Sequence, residues 1–115
     1  IININSVVGH KIPFFEVPIN IYAPTKFAVT AFSEILRQEL VVAANDKIRV
    51  TNLSPGGVES DIQVAAGYVK KAEPSSAENP MLQPVDIAQS IIYLLSTPTN
   101  VNVTQLTISP VGEKC

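Results

Sequence analysis

Tyr22-Ala23-Pro24-Thr25-Lys26 opens an amphipathic run that continues to Ala44. Phe27, Ala31, Ile35 and Leu36 recur at helical spacing, and Ala28, Phe32 and Leu40 widen the apolar stripe. Arg37, Gln38 and Glu39 mark a wetter face, and Asn45-Asp46-Lys47 breaks the pattern. The spacing predicts a helix over 22–44. Pro24 is compatible with it, because the first-turn amides have no helical acceptor. On that helix Tyr22 and Lys26 share a face, with Cβ atoms roughly 5–6 Å apart. A phenol has a reference pKa of about 10 and is a poor base at neutral pH. A neighbouring ammonium favours the phenolate, so the pair reads as a proton donor and acceptor. Taken alone, such a pair more often describes a surface tyrosine lying on a lysine stem.

Both flanks of the helix read as strands. Ile1, Ile2 and Ile4 form a short β-branched run, as in a buried parallel strand, which ends at Asn5-Ser6 in a turn through Gly9. Ile48-Arg49-Val50-Thr51-Asn52-Leu53 is the second strand and ends at Ser54-Pro55-Gly56-Gly57. A strand, a long helix and a second strand make a βαβ crossover, which requires a parallel pair. Open α/β sheets bind ligands beyond the carboxyl ends of their strands. Ser6, Tyr22 and the Ser54–Gly57 turn are therefore expected at one edge of one sheet. The alternative for Ser6 is a turn serine bonded to local backbone.

Between Ser6 and Tyr22, His10 to Asn20 reads as a loop, apolar at Phe14, Phe15 and Ile19. His10 is the sole histidine and has no companion ligands, so no metal site is expected. Val58 to Pro80 is irregular, with a short helix expected over Val64–Val69 and a turn-rich end over Pro74–Pro80. Such a segment beside a site reads as a lid or substrate loop. Pro84 begins another helix, with Asp86 suiting its positive end and Ile87, Ile91, Leu94 and Leu95 as its buried stripe. Val101 to Ile108 is the third strand, closed by Pro110 and Gly112.

The bulk numbers exclude several classes. At 46% apolar and 16% charged residues, the chain is globular in composition. A net charge of −2 leaves no nucleic-acid footprint. No apolar run approaches the roughly 20 residues of a membrane span. Cys115 is the only cysteine, so no intrachain disulfide can form, which fits a reducing compartment. The first residues look like a strand in mid-course, so the 115 residues are expected to begin inside a larger domain.

Three motifs, in their order and separation, resemble the short-chain dehydrogenase/reductases: Asn5-Ser6-Val7-Val8-Gly9, Tyr22-Ala23-Pro24-Thr25-Lys26, and Ser54-Pro55-Gly56-Gly57-Val58-Glu59-Ser60. The stretches Ala31–Leu40 and Leu82–Ala88 are similar to that family too. Gly9-His10, Tyr93-Leu94-Leu95-Ser96-Thr97-Pro98 and the length of the loop before Tyr22 resemble insect farnesol dehydrogenases and the related vertebrate carbonyl and hydroxysteroid reductases. The likeness covers nearly all the chain and corresponds to the C-terminal half of a family domain. It implies an α/β fold, the C-terminal half of a Rossmann-type doubly wound parallel sheet. Three strands, one long crossover helix, one further helix and a substrate loop are expected over residues 1–115.

The resemblance also implies roles. Tyr22 would exchange a proton with the alcohol or carbonyl oxygen. Lys26 would lower the Tyr22 pKa and bond the nicotinamide ribose. Ser6 would donate to the substrate oxygen. Pro55 and Gly56 would bring backbone close to the nicotinamide, Val58 would meet its carboxamide through the backbone, and Ser60 stands where the family usually has threonine. NADP is the expected cofactor, with NAD compatible. The expected substrate is a hydrophobic small molecule, the expected assembly a homodimer or homotetramer using the helix from Tyr22, and the expected compartment cytoplasmic. The family's glycine-rich phosphate turn, its cofactor-selecting residue and its catalytic asparagine belong to the other half of the domain. The chain by itself is thus expected to bind dinucleotide poorly and to leave apolar faces uncovered. An inactive interaction or dimerisation module is the rival reading. A serine hydrolase using Ser6 fits badly, because no acid is set to orient His10.

Overall fold

A computed structural model describes residues 1–15, 18–45, 47–67, 69–71 and 74–114. Asp46 of the expected helix break, Tyr68 of the expected short helix and Cys115 lie outside the described residues. The strands are β1 (Ile2–Ile4), β2 (Thr51–Pro55) and β3 (Gln105–Ile108), and the helices are α1 (Tyr22–Val42), α2 (Ile62–Ala65) and α3 (Pro84–Ser96). A single 3-10 turn, Val7–Gly9, follows β1. The sheet runs β1-β2-β3 with every pair parallel, Ile4 opposite Leu53 and Leu53 opposite Leu106. The α/β class and the βαβ crossover are as expected.

β2 is the centre of the sheet and all five of its residues are buried. It begins later and ends later than the sequence pattern predicts, at Thr51 and Pro55 rather than at Ile48 and Leu53. Pairing explains the late end. The Thr51 N–H donates towards β1, to Ile1 O, and the Asn52 N–H towards β3, to Thr104 O. With that alternation, the N–H that Pro55 lacks would face β1, which has already stopped. The Gly56 N–H still reaches Ile108 O on the β3 side, at 2.7 Å. A proline is tolerated where its missing donor has no ladder to join. β3 is likewise shorter than expected and starts at Gln105.

α1 matches its predicted span to within two residues, but the face it turns to the sheet is not the predicted stripe. Ala23 and Ser33 are its buried residues. Ser33 Oγ accepts from Asn3 Nδ2 at 2.9 Å, and Thr30 Oγ1 accepts from Asn5 Nδ2 at 2.8 Å. Side chains alternate along a strand, so Asn3 and Asn5 both face α1 while Ile2 and Ile4 face the opposite side. The amide N–H groups of buried Asn5 and half-buried Asn3 need partners, and the small hydroxylic face of the helix supplies them. The apolar stripe is left outside: Phe27, Phe32 and Ile35 are 39%, 56% and 54% exposed. Leu36 and Leu40 are half-buried.

α3 starts at Pro84 as predicted, with a capping box in which the Asp86 carboxylate accepts from the Gln83 N–H at 2.7 Å. Leu94 is its buried anchor, whereas Leu95, expected in the same stripe, is exposed. The Arg49 guanidinium donates to the carbonyls of Thr97, Pro98 and Val101 and so ties the α3–β3 connection to the start of β2. α2 starts two residues and ends four residues earlier than predicted, over Ile62–Ala65, and Gly67 turns the chain at φ +76 just beyond it. The ends of the intervening loop are pinned together. Val58 bridges Leu82, the Glu59 N–H donates to Leu82 O, and the Leu82 N–H donates to Gly57 O, both at 2.8 Å. No described helix is long and apolar enough to cross a membrane.

Candidate active site

β1 and β2 stop side by side, with the Asn5 N–H donating to Leu53 O at 2.7 Å. Just past that bond Ser6 caps the 3-10 turn, and its Oγ accepts from the Val8 N–H at 3.3 Å. Ser6 therefore does bond its local backbone. Accepting that bond leaves the hydroxyl hydrogen available to donate elsewhere. Gly9 ends the turn where a Cβ would stand 2.7 Å from Lys26 O and 2.7 Å from Asn5 Nδ2. The obstacle is helix backbone, which cannot give way, so glycine lets α1 press directly on the turn. Thr30 Oγ1 donates to Gly9 O at 2.9 Å across the same contact.

This close approach delivers Tyr22 and Lys26 to the end of β1. Tyr22, the first residue of α1, packs with Phe15 and Ile19 on the buried cluster of Val7, Val8 and Ala23. The Lys26 ammonium donates to Ile4 O at 3.2 Å and to Asn5 O at 3.3 Å, and lies 5.6 Å from the centroid of the Tyr22 ring. Partial burial lowers the Lys26 pKa from 10.5. Ser6, Tyr22 and Lys26 thus gather where β1, the 3-10 turn and the start of α1 meet.

The second group is arranged differently. Pro55 is buried at the end of β2, Val58 is half-buried in its bridge to Leu82, and Ser60 is exposed at the loop mouth. Gly56 has an unexpected neighbour, the Glu113 carboxylate, which occupies the space a Gly56 Cβ would enter. Glu113 Oε1 accepts from the Gly57 N–H at 2.7 Å. Gly112, at φ +89, turns the chain so that this carboxylate reaches the Gly56-Gly57 backbone. The readable signal for Glu113 is the Pro110-Val111-Gly112 turn directly after a strand; the acid's target is not readable from the sequence.

A second unpredicted contact joins His10 Nε2 and Ser54 Oγ at 2.8 Å. Ser54 is fully buried and also accepts from Gln105 Nε2 at 3.0 Å. Among the described residues no cluster of His, Cys, Asp and Glu is placed to hold a metal ion. A cavity of about 280 Å³ is lined by Ile1, Lys47, Arg49, Thr97 and Val101. It opens at the starts of β1 and β2, the opposite end from Ser6.

Of the residues present, Lys26 fits the ribose end of a dinucleotide, whereas the space at Gly56 is taken by Glu113. An ammonium carries three N–H groups, and Lys26 has two described acceptors, so one donor remains for a ribose hydroxyl. The backbone at Gly56-Gly57 carries no side chain, although Glu113 already covers one side of it.

Sequence and structure comparisons show which known proteins this chain is similar to. The short chain dehydrogenase family matches residues 1–69. A farnesol dehydrogenase of Aedes aegypti is 43% identical over 119 residues, covering 99% of this chain and 43% of that protein. The Mus musculus dehydrogenase/reductase SDR family member 11 is 42% identical over 112 residues, covering 96% and 42%. Among solved structures, the closed form of a serine dehydrogenase complexed with NADP+ superposes with a TM-score of 0.79 at 28% identity, covering 99% of this chain and 45% of that one. The chain spans less than half the length of these curated relatives.

Proposed function

Because this chain belongs to the short-chain dehydrogenase family, we propose that it supplies the proton-transfer site of an NAD(P)-dependent oxidoreductase acting on an apolar alcohol or carbonyl. The observation that carries this reading is the Lys26 ammonium, held between the end of β1 and the Tyr22 ring. A bound nicotinamide supplies the hydride chemistry. In the oxidative direction Tyr22 takes the alcohol proton through its phenolic oxygen, and in the reductive direction it returns it. Ser6 donates its hydroxyl hydrogen to the same substrate oxygen. Lys26 holds its cation beside the Tyr22 ring and has a donor left for the ribose. Pro55, Gly56, Val58 and Ser60 form the cofactor-side wall.

Substrate and cofactor follow from weaker supports. Phe14 is almost fully exposed beside half-buried Phe15, giving an apolar rim, and a relative is named a farnesol dehydrogenase. A terpenoid alcohol is the first choice, with steroid and simple carbonyl compounds next. NADP is favoured by the NADP+ complex of the serine dehydrogenase, and NAD is compatible. The exposed Phe27, Phe32 and Ile35 suit a second copy packing on α1, as a homodimer or homotetramer. Cytoplasmic placement belongs to the same reading, since a single cysteine fits a reducing compartment.

The test is Tyr22→Phe in a protein that binds the dinucleotide. Turnover is expected to fall by about 10²-fold or more, the usual worth of a positioned acid–base group, with cofactor binding retained. Unchanged turnover would reject the role. The rival reading, an inactive pairing module, is favoured by the same exposed α1 face. Light scattering combined with dinucleotide titration separates the two: a dimer that binds no NADP supports the module.

A further inference from the structure

The Ser54 hydroxyl is fully buried and has two polar neighbours among the described residues, Gln105 Nε2 at 3.0 Å and His10 Nε2 at 2.8 Å. An amide nitrogen only donates, so Ser54 accepts from Gln105. At its other end Gln105 Oε1 accepts from Asn52 Nδ2 at 2.7 Å, an arrangement that leaves Asn52 Oδ1 buried without a partner among the described residues. The Ser54 hydrogen is then left with His10 Nε2 as its acceptor. Donation by Ser54 requires a bare Nε2, with the ring proton on Nδ1. A directed chain of donors thus runs from Asn52 through Gln105 and Ser54 to His10.

This chain ends at a particular place. His10 closes the 3-10 turn that Ser6 opens, its N–H donating to Val7 O at 3.0 Å. The near end of that turn is held on β2 by the Asn5 N–H to Leu53 O. Thr30 ties Gly9 to α1. Among the described residues, His10 to Ser54 is the hydrogen bond that ties the far end of the turn to the sheet. Leu53 and Ser54 are consecutive in β2, so both ends of the Ser6 turn are referenced to one buried dipeptide.

We propose that His10 is a positioning residue for Ser6, acting as a neutral acceptor that staples the 3-10 turn to Ser54 and so fixes where the Ser6 hydroxyl points. The functional meaning of that position rests on the oxidoreductase reading. The staple itself does not.

Two readouts on the full chain test it without turnover. Nitrogen-15 spectra of the imidazole at neutral pH should report Nδ1–H with a bare Nε2; an Nε2–H tautomer overturns the proposal. Amide exchange in His10→Ala should rise about tenfold or more at Val8, Gly9 and Lys11, while Asn52 and Gly56 in β2 keep their protection, as expected of a local opening. His10→Gln, whose side-chain oxygen can accept from Ser54, should restore protection at those amides. Unchanged exchange in His10→Ala overturns the staple, and equal loss at Asn52 overturns the positioning role by making His10 a support of the whole sheet. A failed Tyr22→Phe test would remove the oxidoreductase reading and leave these results standing.

Discussion

The Lys26 ammonium lies 5.6 Å from the centroid of the Tyr22 ring while donating to Ile4 O at 3.2 Å and Asn5 O at 3.3 Å. One cation therefore faces both a phenol and the strand end that leads into Ser6. Its position depends on Gly9, which lets α1 approach the turn closely.

Lys26 should leave a signature in the pH dependence of stability. Burial lowers its pKa from 10.5 in the folded chain. The unfolded chain then binds more protons than the folded one between the lowered value and 10.5. Stability rises with pH wherever the unfolded state holds more protons, so this group disfavours folding below the lowered pKa and ceases to do so as pH climbs through the window. Denaturant unfolding from pH 8 upward should show that rising contribution, and Lys26→Met should abolish it. In the proposed enzyme the same substitution should lower kcat/KM by about 10²-fold or more. An identical pH–stability profile for the two proteins would remove burial of the ammonium as a feature of the native chain.

The βαβ unit was legible because it is written in local pattern: a β-branched run, about twenty residues of helical period, a second β-branched run. The placement of Ser6 beside the start of α1 was legible for the same reason, since strand ends and helix starts on a parallel sheet converge by topology. The facing of α1 was not. Its apolar residues form the stronger stripe, yet Asn3 and Asn5 on the strand beneath require hydrogen bonds, and this turns Thr30 and Ser33 inward. Glu113 on Gly57 and His10 on Ser54 span 56 and 44 residues of sequence, and no local period encodes such pairs.

That hydroxylic seam predicts an inverted mutational pattern on α1. Ser33→Ala deletes a small side chain but takes the partner from the half-buried Asn3 Nδ2, which should cost about 1 kcal/mol, the worth of a typical hydrogen bond. Ile35→Ser deletes a larger apolar group from an exposed position and should change monomer stability by about 0.5 kcal/mol or less. Urea unfolding of the two variants checks the order. Run at two protein concentrations, it also tests self-association, because a large, concentration-dependent effect at Ile35 is expected only if a second copy covers that face.

On the outer face of the same helix, Arg37 pairs with Glu34 in a two-pronged contact at 2.8 and 2.6 Å, and Gln38 adds a donor at 2.7 Å. The bond from Arg37, then that from Gln38, holds the Glu34 carboxyl down at about 2, from 4.5. A lowered carboxyl pKa contributes stability that is complete above 4.5 and is lost as pH falls towards 2. The pair is open to solvent, so the contribution is small and screened by salt. Acid unfolding curves of wild type and Glu34→Gln should converge below pH 2 and separate slightly above pH 4.5, with the separation shrinking in 1 M salt. A separation that persists undiminished at high salt would contradict an exposed pair.

Gly56 offers the sharpest test of what its missing side chain is for. The resemblance assigns that absence to an approaching nicotinamide, whereas the folded chain itself already fills the space with the Glu113 carboxylate. Gly56→Ala should therefore push the flexible Glu113 side chain aside with no cofactor present, at a cost of about 1 kcal/mol for the lost bond to the Gly57 N–H. Glu113→Ala removes the obstacle together with the acceptor of the Gly57 N–H, so it should carry a cost of its own, about 1 kcal/mol. The two effects should not add. In the double variant the added methyl has room, and a coupling energy of about 1 kcal/mol or more is expected for residues in direct contact. Thermal melts of the four proteins complete the cycle. Additive losses would mean that Glu113 does not rest on Gly56, and the glycine would then be left with the cofactor as its only reason.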